Sequence, residues 1–174
     1  MKLLCFHVAG QDFGVPIGAV KETIPERPLT RLFLVPPFVA GLINLRGEVV
    51  AVLDLATLLG LARDGNGGAR DGGRRSARNI VILRASLLAG VRDTRHAANR
   101  PAAGLFVDGL DGVRDIAESD VRPAPPTLAA EPAGYLDGVA AASRDGGPPR
   151  PLLLLAPERV LGSPHLTPYR REMR

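Results

Sequence analysis

Nowhere in this chain do apolar residues recur at a helical period over a long window. They come instead in short runs, each cut by Gly, Pro, Asn or Asp. With 20 Gly and 16 Pro spread through 174 residues, long helices would be interrupted repeatedly, whereas strands joined by tight turns use the same residues as punctuation. The expected fold class is therefore mostly β.

Lys2 to Val8 and Asp12 to Ile17 read as two strands of a hairpin turned at Ala9-Gly10-Gln11, where Gly supplies the positive φ. Val20 to Ile24 reads as a short helical turn or bend, stopped by Pro25 and Pro28. Leu29 to Leu34 is a further extended piece, and Pro36-Pro37 opens a brief helical turn over Phe38-Val39-Ala40 that Gly41 closes. Leu42 to Leu45 and Glu48 to Leu53 form a strand pair bent near Arg46-Gly47. A short helix follows from Asp54-Leu55 through Leu59, with Gly60 as its terminator. Asn79 to Leu83 and Ala103 to Val107 are later strands, the former extendable through Leu87 to Val91.

The two halves resemble each other. Phe38-Val39-Ala40-Gly41-Leu42, a turn, Val49 to Leu53 and Leu58-Leu59-Gly60 are echoed by Tyr135-Leu136-Asp137-Gly138-Val139, a turn at Asp145-Gly146-Gly147, Leu152 to Leu155 and Val160-Leu161-Gly162. Upstream, Val20-Lys21-Glu22 is echoed by Val113-Arg114-Asp115. A duplication of this kind predicts two small five-stranded barrels, since closure removes sheet edges. Each barrel is marginal alone, so the pair is expected to share an apolar interface. The expected division is a first barrel over 12–62 and a second over 79–151, with 1–11 and 152–174 crossing between or flanking them.

Composition narrows the partners. Aromatics are only 4% of the chain, so stacking platforms for bases are scarce. The net charge of +4 comes from two stretches: Arg63 to Arg78, with five Arg against Asp64 and Asp71, and Arg92 to Arg100, with three Arg against Asp93. The first also holds five Gly and almost nothing apolar, and reads as a flexible Arg/Gly loop. Solvated loops account for the basicity better than a nucleic-acid surface does. No run reaches the length of a membrane helix, the start is too short for a signal peptide, and the single Cys5 fits a core position in a reducing cytoplasm.

Catalytic patterns are missing. His7 lies in the first strand, His96 in a polar loop and His165 in a Pro-rich tail, and none has a nucleophile at a recognisable spacing. Cys5 with His7 gives only two metal-ligand candidates. Neither Lys2 nor Lys21 follows a phosphate-binding turn, and Asp54, Asp108 and Asp111 adjoin turns or a helix start, where Asp caps backbone groups. Neither an enzyme nor a cofactor is expected.

Phe13-Gly14-Val15-Pro16-Ile17, Val20-Lys21-Glu22, Thr30-Arg31, Pro36 to Gly47 with its Asn44-Leu45-Arg46-Gly47, and Val52-Leu53-Asp54-Leu55 follow one another in an order that resembles the CheW family. The likeness continues through Leu105 to Leu110, Val121 to Pro125, Tyr135 to Gly138 and Leu152 to Leu161. It implies two SH3-like five-stranded barrels around a shared core, in agreement with the duplication. It also implies a non-enzymatic adaptor that couples chemoreceptor signalling tips to the regulatory domain of a CheA-type histidine kinase. Such an adaptor is cytoplasmic, recruited to membrane-associated arrays, and contacts other CheW-like domains. On that resemblance Val20, Glu22 and Ile24 face the kinase, and Gly41, Asn44 and Arg46 face the receptor. Val20 and Ile24 equally suit a core, Asn44 suits a turn, and Arg46 either pins the fold or presents its fork to an acidic helix. Two features depart from the family: Ala51 stands where Pro is common, and the two Arg-rich segments are long.

The competing reading is a basic nucleic-acid-associated β-barrel protein that uses the Arg-rich loops. It requires retention on DNA or RNA that falls steeply with salt and disappears when 63–78 are deleted. The expected outcome is weak retention on immobilised oligonucleotide at physiological salt, and tight retention abolished by that deletion would favour the competitor.

Overall fold

The computed structural model describes residues 1–62, 70–71, 74–75, 78–87, 101–124, 133–143 and 147–163. Its strands are β1 (Lys2–Val8), β2 (Gln11–Pro16), β3 (Val20–Pro25), β4 (Val39–Leu45), β5 (Glu48–Asp54), β6 (Arg70–Asp71), β7 (Arg74–Arg75), β8 (Asn79–Arg84), β9 (Pro101–Val107), β10 (Gly109–Asp115), β11 (Leu136–Ser143) and β12 (Pro149–Leu155). The short helices α1 (Leu55–Leu58) and α2 (Pro157–Leu161) follow β5 and β12. Apart from the small β6–β7 pair and Arg78, the Arg-rich stretches lie outside the described residues, as do 88–91 of the expected strand extension.

Two five-stranded sheets carry the fold, in the orders β3-β8-β9-β5-β4 (barrel one) and β10-β1-β2-β12-β11 (barrel two). Each contains one parallel pair, β5 with β9 and β12 with β2, so the two orders match strand for strand. The boundaries expected from sequence are corrected here. β2 joins the strands of the second half, while β8 and β9 complete the first. A parallel pair cannot be made by a tight turn. Barrel two therefore takes β1 and β2 from the chain start and lays the distant β12 alongside β2.

Two local expectations change as well. Val20 to Ile24 is strand β3, not a helical turn, because pairing with β8 supplies the hydrogen bonds a short helix would have lacked. Val39 and Ala40 begin β4 instead of forming a helical turn. Of Leu29 to Leu34 only Thr30 pairs, through a single bridge.

The duplication is visible in register. Gly104 faces Ile82, which faces Glu22; Gly14 faces Cys5, which faces Gly112. Val20-Lys21-Glu22 thus corresponds to Leu110-Asp111-Gly112, and not to Val113-Arg114-Asp115. Lys21 and Asp111 are the extra residues of equivalent β-bulges.

Closure is also made twice in the same way. Beyond β3 the chain bridges Thr30 to Leu42 of β4, and beyond β10 it bridges Arg122 to Val139 of β11, each by a reciprocal pair of backbone hydrogen bonds of 2.8–2.9 Å. The crossing segment lies directly over a glycine. A Cβ on Gly41 would stand 2.7 Å from the Thr30 carbonyl oxygen, and one on Gly138 would stand 2.5 Å from that of Arg122. Backbone cannot retreat as a side-chain tip can. That contact is the physical reason for the repeated glycine of Phe38 to Leu42 and Tyr135 to Val139.

Burial divides into three clusters. Leu4, Phe6, Val8, Phe13 and Val15 of barrel two pack against Val81, Leu83, Leu105 and Val107 of barrel one, with α1 and α2 residues around them. The alternate residues of the same strands fill the barrels themselves: Ile80, Ile82 and Phe106 with Val50 and Val52 in one, Leu3 and Cys5 with Leu152 and Leu154 in the other. Phe6 and Phe13 stack 6.0 Å apart at the shared seam. Asp54 caps α1, its Oδ1 accepting the Thr57 amide at 3.0 Å. Among the described residues no helix is long and apolar enough to cross a membrane.

Cys5 sits inside barrel two, where burial pushes its thiol above the ordinary range, opposed by the Arg114 guanidinium and aided by Asp111 and Asp12. The folded chain therefore keeps a proton that the unfolded chain loses at alkaline pH, so this contribution to stability fades as pH rises. Between about pH 8 and about pH 10 the melting midpoint of Cys5→Ala should fall less than that of the parent, and an equal fall in circular dichroism melts would show that Cys5 contributes nothing. Gly41→Ala and Gly138→Ala should each cost about 1–3 kcal/mol, lowering the midpoint by several degrees, whereas Gly18→Ala, with open space at its Cβ, should leave it unchanged.

Candidate functional site

The Gly41 to Gly47 motif forms strand β4 and the turn into β5. Leu45 pairs with Glu48, and Arg46 and Gly47 between them have φ of +54° and +88°. Positive φ at both central residues marks a type I′ turn, whose twist suits a two-residue hairpin. The Ala9-Gly10 turn has the same signature, at +49° and +78°. For an arginine the left-handed region costs about 1–2 kcal/mol. Asn44 offsets part of that cost by accepting the Gly47 amide on its Oδ1 at 2.8 Å, so its side chain serves the turn.

Held in this turn, Arg46 donates from Nη2 to Glu22 Oε2 at 3.1 Å. The Arg46 side chain is 77% exposed and that of Glu22 21%. Next to them, Lys21 Nζ lies 3.6 Å from Glu48 Oε2. These two ion pairs tie the bulge of β3 to the β4–β5 hairpin, with the well-exposed Val49 alongside. Such pairs add at most about 1 kcal/mol each to stability, but they fix where the charges stand.

The six positions singled out in the sequence thus have different environments. Glu22, Asn44 and Arg46 are brought to one end of barrel one, where Glu22 and Arg46 touch each other. Val20 and Ile24 are core residues, Val20 in the shared cluster and Ile24 inside barrel one, so neither offers a side chain to a partner. Gly41 is buried beneath Thr30. Lys21 and Glu48 escaped the sequence reading, although adjacent opposite charges at 21–22 and again around the 46–48 turn were a usable signal.

A second polar group lies at the junction of the barrels. Asp108 is the only residue between β9 and β10, and its Oδ2 accepts the Ala9 amide at 2.7 Å. Its own amide donates to the His7 carbonyl, and His7 Nδ1 lies 3.2 Å from Asp111 Oδ2. These contacts pin the crossover to the first hairpin. Neither group has an acid, a base and a nucleophile converging on one point, and among the described residues no three His, Cys, Asp or Glu side chains gather as a metal site.

Comparison with known proteins places this geometry. The family model of the CheW-like domain matches residues 2–165. The chain is similar to the chemotaxis protein CheW of Klebsiella aerogenes, 29% identical over 93% of this chain and 82% of that one. It is also similar to protein FrzA of Myxococcus xanthus, 34% identical over 82% and 75%. A probable chemotaxis protein CheW of Rhizobium etli is 29% identical over 71% of this chain, which spans 66% of that protein's length. The fold superimposes on the crystal structure of the scaffolding protein TtCheW from Thermoanaerobacter tengcongensis with a TM-score of 0.66, at 24% identity, covering 89% of this chain and 83% of that one. With two matching SH3-like barrels around one core and the motif turn at the end of the first, the chain belongs to the CheW-like domain family.

Proposed function

We propose that this chain is a non-enzymatic adaptor of chemotaxis signalling, coupling chemoreceptor signalling tips to the regulatory domain of a CheA-type histidine kinase. The observation that carries the reading is the Arg46 turn: a strained, exposed arginine held by Glu22 on a rigid hairpin in a chain whose relatives bear the name chemotaxis protein. A guanidinium with one edge on Glu22 keeps other donors for a carboxylate on a receptor helix. Asn44 and Gly41 serve that contact indirectly, one by shaping the turn and the other by letting the barrel close behind it. For the kinase, Glu22 is the partly exposed member of its set, and Val20 and Ile24 support its strand from beneath. Further CheW-like domains would dock as the kinase domain does, and the chain would work in the cytoplasm at membrane-associated arrays.

Calorimetric titration with a CheA-type regulatory domain and a receptor signalling fragment tests the reading, and absence of binding to both would end it. Arg46→Ala should weaken receptor binding by about tenfold or more while moving the melting midpoint by no more than a few degrees. The charge swap Glu22→Arg with Arg46→Glu separates contact from strut. Receptor binding should stay lost in the swapped chain, whereas recovery would assign the pair a purely structural task.

A further inference from the structure

The chain between β3 and β4 forms one wall of a cleft of about 830 Å³, to which Arg27, Leu29, Arg31 and Phe106 contribute. Two other charged groups in this cleft, Arg78 and Asp54, are already engaged. Arg78 lies over the Phe106 ring at 5.3 Å with its Nε 3.8 Å from Asp108, and Asp54 caps α1. Arg27 and Arg31 are exposed and have no ion-pair partner among the described residues. Beyond Arg31 the chain continues into Leu32-Phe33-Leu34, where Phe33 is 91% and Leu34 99% exposed. Leu34 also holds a φ of +60°. A branched residue strained into the left-handed region so that two large apolar side chains stand in water forgoes burial of roughly 1.5–3 kcal/mol per side chain. Such a cost recurs where a surface is covered by a partner.

We propose that the cleft and the Leu32 to Leu34 prong dock an acidic peptide segment of a partner protein that carries an apolar anchor. Its carboxylates pair with Arg27 and Arg31, its anchor rests on Leu29 and the Phe106 edge, and Phe33 and Leu34 close over it. Charge decides for a peptide over nucleic acid. Glu26 stands in the same wall, which a continuous phosphate backbone would meet but discrete carboxylates can straddle. The surface uses neither Arg46 nor Glu22, so it stands independently of the receptor reading.

The full chain should bind a fluorescein-labelled peptide of repeated Glu-Glu-Leu-Leu units saturably in fluorescence polarisation. The matching peptide with Gln for Glu should bind at least about tenfold more weakly. Arg27→Glu with Arg31→Glu, and separately Phe33→Ser, should weaken binding about tenfold or more. Arg122→Glu, a single charge reversal on barrel two, should alter it less than about twofold, and Arg46→Ala likewise. All these side chains are exposed, so the fold is kept. The proposal is overturned if the acidic peptide does not saturate, if Arg122→Glu weakens binding as much as the cleft substitutions do, or if an oligothymidylate or phosphatidylserine vesicles bind more tightly than the peptide through the same residues.

Discussion

The fold rests on four strands that bury both of their faces. In β1, Leu4, Phe6 and Val8 point to the seam between the barrels while Leu3 and Cys5 point into barrel two. In β8, Val81 and Leu83 face the seam while Ile80 and Ile82 fill barrel one. A five-stranded barrel of this size has too little interior to stand alone. Placing the β1–β2 and β8–β9 pairs back to back gives each barrel a second apolar layer without lengthening the chain. The seam therefore belongs to both barrels equally: barrel one is continuous from β3 to β9 but cutting it out would bare its seam face, and barrel two draws its strands from both ends of the chain.

From that constraint the rest follows. Because barrel two needs the first hairpin, the chain must pass from β9 to β10 at the seam, and it does so through the single residue Asp108. A polar residue at so dry a place requires partners. The Ala9 amide and the His7 carbonyl supply them, tying the crossover to the hairpin it must meet. At the far edges each barrel closes by one bridge over a glycine, where no side chain could lie between two backbones. Barrel two is the more polar copy: the position occupied by Ile24 in barrel one holds Arg114 in barrel two, whose guanidinium donates to the Ser143 carbonyl across the closure.

Much of this was legible in the residues, and what was not has physical causes. Unbroken apolar runs such as Ile80 to Leu83 announce strands buried on both faces, and Asp54 and Gly60 mark the ends of a short helix. The repeat of Gly41 in Gly138 announced the duplication, but which strands belong to which copy could not be read, because β12 pairs with β2 across most of the chain and nothing local encodes that. The second register was hidden too: Val113 looks like the partner of Val20, but the strand pairings match Val20 to Leu110, three residues earlier, with equivalent bulges at Lys21 and Asp111. β3 was misread as a helical turn for a related reason. Val20 and Ile24 are both buried at a spacing of four, yet on opposite faces: the bulge at Lys21 leaves Val20 on the seam and sets Glu22 with Ile24 on the barrel-one face, where Glu22 meets Arg46 at the barrel's end.

That change of face explains why this end of barrel one can hold a binding group at all. A long arginine on a loose loop loses side-chain entropy when it docks. Here the type I′ turn fixes the backbone of Arg46, Asn44 holds the turn, and Glu22 on a bulged strand holds the guanidinium, so much of that ordering is complete before a partner arrives. The Leu32 to Leu34 prong is built on the opposite principle, exposed apolar side chains on a segment bridged to β4 at Thr30. One surface is set in advance by pairing charges on rigid strands, and the other retains unburied apolar area to be covered on contact. A single small scaffold thereby offers partners two surfaces whose energetics differ: the first should weaken with salt chiefly through Arg46, whereas the second combines a salt-sensitive contact at Arg27 and Arg31 with a hydrophobic one that salt leaves in place.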